Sequence, residues 1–143
     1  MIERVSPQGI AEPVGSYTHA IKVSPKQLVF IAGQVPIDKD GNVVGLDRNE
    51  KLKNHQTINL ELQVRQTFLN VKAALEASGA SMKNIVRLDS YVVAAVMNEW
   101  RTIGRKIKQE MLENAHPPGA TVFVVGLMIP DAMLEISAVA AIE

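Results

Sequence analysis

The sequence contains no cysteine, which removes disulfides, thiolate nucleophiles and thiolate metal ligands together and leaves the redox state of its compartment unconstrained. A charge surplus is missing too. Fifteen basic residues balance fifteen acidic ones, so no whole-molecule field draws the chain to nucleic acid, an anionic membrane or an acidic partner. Aromatic residues are scarce, at one Trp, two Tyr and three Phe, and offer few platforms for stacking exposed bases. The basic residues are scattered from Arg4 to Lys108, which argues further against nucleic acid. His19, His55 and His116 lie far apart, with no pair at a spacing typical of ligands on one helix or hairpin, so no metal is expected. A Gly-rich phosphate loop and a Gly-x-Ser-x-Gly elbow are absent, leaving nucleotide hydrolysis and serine esterase chemistry without support. Met1–Gly9 carries Glu3, Arg4 and Pro7 but no apolar run. The expectation is neither signal peptide nor membrane anchor, and a cytoplasmic location.

What is present is the composition of a packed chain. Hydrophobic residues make up 47% and charged residues 21% of 143, close to globular averages, which predicts a single domain over residues 1–143. The text from Ala20 to Ala32 reads as two strands in a hairpin turning at Pro25. Asp38 to His55 is polar and reads as a long surface loop. Between Asn59 and Ser78, the residues Leu60, Val64, Phe68, Val71 and Leu75 recur at helical spacing, and Gly79 is a natural terminator. Ile85 to Val96 reads as strand. Asn98 is an apt cap for a second helix carrying Trp100, Ile103, Ile107 and Met111 on one stripe. After His116-Pro117-Pro118-Gly119, two more strands are expected, Thr121 to Leu127 and Met133 to Ile142.

This order predicts an α+β fold, a sheet with two helices on one face. Helices of this length cover only one side of such a sheet. Leu28 to Ala32 and Val122 to Val125 are nevertheless apolar at every position, a pattern of strands buried on both faces. Either the second face packs against further copies of the chain, or these strands simply lie central in a monomer's core; periodicity does not separate the two.

Several pieces then carry a resemblance. Val14-Gly15-Ser16-Tyr17, Ala32-Gly33-Gln34-Val35-Pro36, the helix text Gln63-Val-Arg-Gln-Thr-Phe-Leu-Asn70 and Leu134-Glu-Ile-Ser-Ala-Val-Ala140 stand in order along the chain. Together they resemble the Gly-Pro-Tyr, Ser-Gly-Gln-x-Pro and Gln-x-Arg-Gln-x-x-x-Asn elements and the closing strand of the reactive intermediate deaminase (RidA/YjgF) family, also called the endoribonuclease L-PSP family. The resemblance implies a chorismate-mutase-like homotrimer with ligand pockets at the subunit boundaries. It also implies hydrolysis of imines and enamines to oxo acids and ammonia without a cofactor.

The departures from that pattern bear on function. Deaminating members place an arginine after the last proline of a Pro-Ala-Arg element, to grip the substrate carboxylate. Here Pro118 is followed by Gly119 and Ala120. The family's turn serine corresponds to Ala32, and an asparagine of the second helix falls at Gly104. Tyr17 and Glu135 are what the resemblance leaves of the pocket, with Glu135 as the catalytic proton carrier and Tyr17, Ala32, Gly33, Gly104, Gly119 and Ala120 at substrate-binding positions. Read from the residues alone, Glu135 between Leu134 and Ile136 could equally point to solvent, Tyr17 could anchor the N-terminal segment, and Gly33 could serve a plain turn.

A relocated cation could come from Arg87, Arg101, Arg105 or a neighbouring subunit, although each of these arginines also reads as a solvated surface charge. His116, beside the ligand loop, could act as a donor or lie exposed. Three functions compete: an imine or enamine hydrolase using Glu135 and water, a metabolite-binding trimer without turnover, and an endoribonuclease, which neutral charge and the lack of a histidine pair do not favour.

Overall fold

The computed structural model describes residues 1–47 and 57–143. Eight strands and two long helical segments are named here in chain order. Strands β1 (Ile2–Val5) and β2 (Ala20–Val23) form an antiparallel ribbon, while β3 (Gln27–Gln34), β6 (Ile85–Val93), β7 (Thr121–Val124) and β8 (Leu134–Ile142) build a four-stranded sheet. Its order is β3-β8-β6-β7, antiparallel except for the parallel β6–β7 pair. The short β4 (Leu46–Asp47) and β5 (Thr57–Ile58) pair with each other. The expected mixed sheet is therefore present, but the Ala20–Ala32 hairpin is not. β2 pairs with β1, and β3 crosses to β8, with Lys26 N–H bonded to Ile142 O. The reading missed β1 because four residues carrying Glu3 and Arg4 give little strand signal until a partner fixes them.

Helix α1 (Leu60–Ala77) follows its sequence stripe closely. Leu60, Val64, Phe68, Val71 and Leu75 are all buried, and Asn59 caps the helix by accepting from Leu62 N–H at 3.1 Å. Gly79 ends it with φ of +77°, a conformation that glycine adopts without a Cβ penalty. The stripe meets Leu134, Ile136, Ala138 and Ala140 of β8 and Leu88 and Val92 of β6, which form the core between α1 and the sheet.

The second helical segment, α2 (residues 97–111), departs from expectation. It contains a π turn at Trp100–Gly104 between a short turn at Met97–Glu99 and an α-helical stretch at Arg105–Met111. Its cap position is Val96, so Asn98 lies inside the first turn and does not cap it. A π turn, with its i→i+5 bonding, inserts one residue and disturbs the helical phase locally. Trp100 and Ile107 are buried as the stripe predicts, but Ile103 is 52% exposed and Gly104 takes the inward place. A Cβ on Gly104 would stand 2.6 Å from the Trp100 ring, so the glycine is what lets that ring lie against the helix.

Both helices cover the same face of the sheet. On the other face Leu28 is 49% and Phe30 74% exposed, and Tyr91 and Val122 are also open. At the proposed loop, Asp38 accepts from the backbone N–H of Asp40 and Asn42 in a tight turn, and Leu46–Asp47 within it form β4, paired with β5; residues 48–56 lie outside the described residues. Among the described residues no helix is long and apolar enough to cross a membrane.

Candidate functional site

The sequence-predicted site residues fall into two places. The first lies on the open face. β8 alternates from Leu134 to Ala140, with Leu134 and Ile136 turned into the core, so Glu135 projects from the opposite face and is half-buried there. Opposite it, β3 carries a β-bulge, because the register slips between Ile31 and Gln34. Ala32 and Gly33 form that bulge. The carboxyl group of Glu135 packs directly over Gly33, where a Cβ would stand 2.2 Å from Oε1. Glycine at 33 thus makes room for the carboxylate. Ala32 is exposed beside it, and its carbonyl accepts from Gln34 Nε2 at 3.1 Å.

The second place is a cleft of about 350 Å³ at the β7 edge, reaching to α2 on the helix side of the sheet. Tyr17, Gly119 and Ala120 line it, together with Leu88, Trp100, Leu112 and Phe123 as apolar walls. The N-terminal segment is tied to its rim by Thr18, whose hydroxyl donates to His116 O at 2.7 Å. Tyr17 stacks edge-on against His19, with ring centroids 5.6 Å apart. Glu135, Ala32 and Gly33 are not among the lining residues, and Gly104 contributes only by seating Trp100.

Gly119 is more than a missing arginine. A Cβ there would meet Leu88 O at 1.7 Å and Leu88 C at 2.6 Å, both backbone atoms. With the loop in this path no side chain fits at 119. The path is held by Leu88 N–H donating to Pro118 O at 3.0 Å and Ser90 N–H donating to Ala120 O at 2.8 Å.

Of the arginines considered as substitutes, Arg101 and Arg105 line the cleft, and the Arg101 guanidinium lies 5.5 Å from the Phe123 ring centroid. Arg87 does not; it is held to Asp89, Nε to Oδ2 at 2.7 Å. Burial alone would raise the Asp89 carboxyl, but its bonds from Arg87 and from the Ala120 N–H at 3.0 Å together hold it below the usual carboxylate range.

The sequence reading missed Lys108. Its side chain lines the cleft, with Nζ 3.1 Å from Ser90 Oγ and 3.5 Å from Thr121 Oγ1. Burial pushes its pKa down to about 8, a fall only partly offset by Asp89. A lone lysine in a charged helix reads as solvated; its place beside Ile107, on the flank of the buried stripe, was the available signal.

The helix motif of the resemblance has a structural task. Gln63 is fully buried, and its Nε2 donates to Val44 O at 3.1 Å and Asp131 O at 2.8 Å while its Oε1 accepts from Met133 N–H at 2.9 Å. Asn70 likewise donates to Val35 O and Ile37 O. Both fasten loops to α1 and lie apart from the cleft. His116 is half-buried outside the cleft lining, its Nδ1 without a partner among the described residues, and His55 lies outside those residues.

Comparison with known proteins agrees with this fold. The family model described as Endoribonuclease L-PSP matches residues 9–142. A RutC family protein of Pyrococcus horikoshii is 30% identical over 141 residues, covering 98% of each chain. A protein of Dermatophagoides farinae named 2-iminobutanoate/2-iminopropanoate deaminase is 29% identical over 134 residues, covering 92% of this chain and 90% of its own. The crystal structure of a Rid-family protein of unknown function from Yersinia pestis superposes with a TM-score of 0.77 at 27% identity, over 99% of this chain and 98% of that one.

Proposed function

Since the chain belongs to the endoribonuclease L-PSP family, whose members include the RutC and Rid proteins, we propose that it hydrolyses small imines or enamines in pockets completed where copies of the chain meet. The observation that carries this reading is the Glu135 carboxyl seated over Gly33 on an apolar sheet face that nothing among the described residues covers. A homotrimer would bury what remains exposed of Leu28, Phe30, Tyr91 and Val122 on that face, each gaining a fraction of the roughly 1.5–3 kcal/mol that full burial of a large apolar side chain brings. It would also bring the Glu135 of one copy near the β7-edge cleft of the next, uniting the two places that the sheet keeps apart in a single chain.

The chemistry follows from what such a pocket holds. Water adds to the imine carbon as Glu135 takes one of its protons, giving a carbinolamine. The proton returned to nitrogen completes the neutral carbinolamine; its hydroxyl proton then moves to nitrogen by way of Glu135 as the C–N bond breaks, ammonia leaves and the carbonyl forms. The relative from Dermatophagoides farinae is named for such a deamination. A second reading, a trimer that binds a metabolite without turning it over, draws on Gly119, where the backbone contact leaves no room for a carboxylate-gripping side chain.

The test is release of oxo acid and ammonia from imines made in situ by an amino-acid oxidase, with the wild type beside Glu135→Gln. Turnover above background that disappears in the variant is expected. A wild type with no activity on any of several imines, still able to bind oxo acids, would leave the binding reading in its place.

A further inference from the structure

The cleft holds three cationic side chains, Arg101, Arg105 and Lys108, and no Asp or Glu among its described lining residues. Arg101 and Arg105 reach solvent, but Lys108 is largely buried, and a buried charge is costly unless something answers it. Arg101 is partly answered by the face of Phe123. Lys108 is not answered by a carboxylate at hydrogen-bond distance among the described residues. Its contacts are the hydroxyls of Ser90 and Thr121, and an ammonium has three donors, so one remains for a ligand. Asp89, the nearest acidic influence, is already engaged by Arg87 and by the Ala120 N–H. Arg105 stands three residues before Lys108, on the same side of the helix.

We propose that Lys108 and Arg105 form the anion-holding pair of this cleft, and that the ligand they hold is a small carboxylate with an apolar or aromatic side chain lying against Trp100 and Phe123. This rests on the functional reading above only in treating the cleft as the ligand-bearing part of the site. The cleft's volume, at the small end of ligand pockets, suits one ring or a short branched chain. The pair answers the question that Gly119 poses: where the loop has no room for a side chain, the helix supplies the charge from the other side of the cleft. Burial is what lowers the lysine pKa, and an incoming carboxylate would favour its charged form.

The experiment is calorimetric titration of the intact protein with 3-phenylpropionate and its uncharged amide, for wild type, Lys108→Gln, Lys108→Arg and Arg105→Gln. The acid should bind at least about tenfold more tightly than the amide. Lys108→Gln should remove most of that preference, and Arg105→Gln part of it. The charged and titratable groups around the amine are Asp89 on β6, Arg101 and Arg105 on its own helix and Tyr17 on the N-terminal segment. Raising the pH from 7 to 9.5 discharges a lysine near 8 and leaves the ligand ionised. Wild-type affinity for the acid should fall over that window, while Lys108→Arg, which keeps charge and bulk, should hold it.

Equal affinity for acid and amide, or a preference unchanged in Lys108→Gln, overturns the proposal, and so does a pH response that persists in Lys108→Arg. Failure here leaves the Glu135 assay untouched. Failure of that assay with the acid preference intact leaves this pair standing.

Discussion

Two phenylalanines stand on opposite faces of the same sheet system. Phe68 of α1 is completely buried in the core, and Phe30 of β3 is 74% exposed on the open face. Within one chain the first is structural and the second is left largely open by the described residues. The contrast extends along the strands. β8 turns Leu134, Ile136, Ala138 and Ala140 toward the helices and Glu135, Ser137 and Val139 away from them. One face is finished by the chain itself; the other is as apolar in places as a core, yet it carries the carboxylate on which the proposed chemistry depends. A monomer rarely leaves large apolar side chains grouped in this way unless another surface meets them.

The contrast can be broken most severely on the finished face. Phe68→Ala should cost about 3–5 kcal/mol through lost burial and the cavity left behind, read as a lowered midpoint in denaturant; a change below about 1 kcal/mol would mean that this face is not the core it is taken to be. Two glycines give the next test. Gly119→Ala drives a methyl into the backbone of Leu88 and should cost about 1–3 kcal/mol or more. Gly33→Ala meets only the movable end of Glu135, so it should leave thermal stability nearly unchanged while sharply lowering any imine hydrolysis. The smallest effect on the stability of the individual chain, within about 0.5 kcal/mol as for surface changes generally, should come from Phe30→Lys. That variant should instead split the assembly, and sedimentation that still reports the wild-type mass would remove the open face from the subunit boundary.

The parts of the fold that were legible in the sequence are those whose signal is local. The α1 stripe, its Asn59 cap and its Gly79 terminator each rest on residues within a few positions of one another. Unbroken apolarity in β3 marked a strand with two faces to bury, and the exposure of Leu28 and Phe30 in the single chain is the pattern that this implies. Strand pairing was less legible because it depends on distant partners: β2 chose β1, and β3 chose β8, more than a hundred residues away.

The site divided along the same line. Glu135 with Gly33, and Tyr17 with Gly119 and Ala120, were placed by motif resemblance, and the structure brings each set together. Lys108 was not found because its environment is assembled from Ser90, Thr121 and Asp89, none of them its neighbour in sequence.

The π turn at Trp100–Gly104 has a consequence for reading relatives of this chain. It acts as a one-residue frameshift written in geometry. Upstream of it a position-by-position comparison with a regular helix stays in step; through the turn itself one extra residue, worth about 100° round the axis, has to be absorbed. A gapless comparison would put Ile103 on the inward stripe, where the structure places Gly104. Removing a single residue from the turn would test the idea in the molecule itself, because it should rotate the C-terminal half of the helix and carry Lys108 out of register with Ser90 and Thr121.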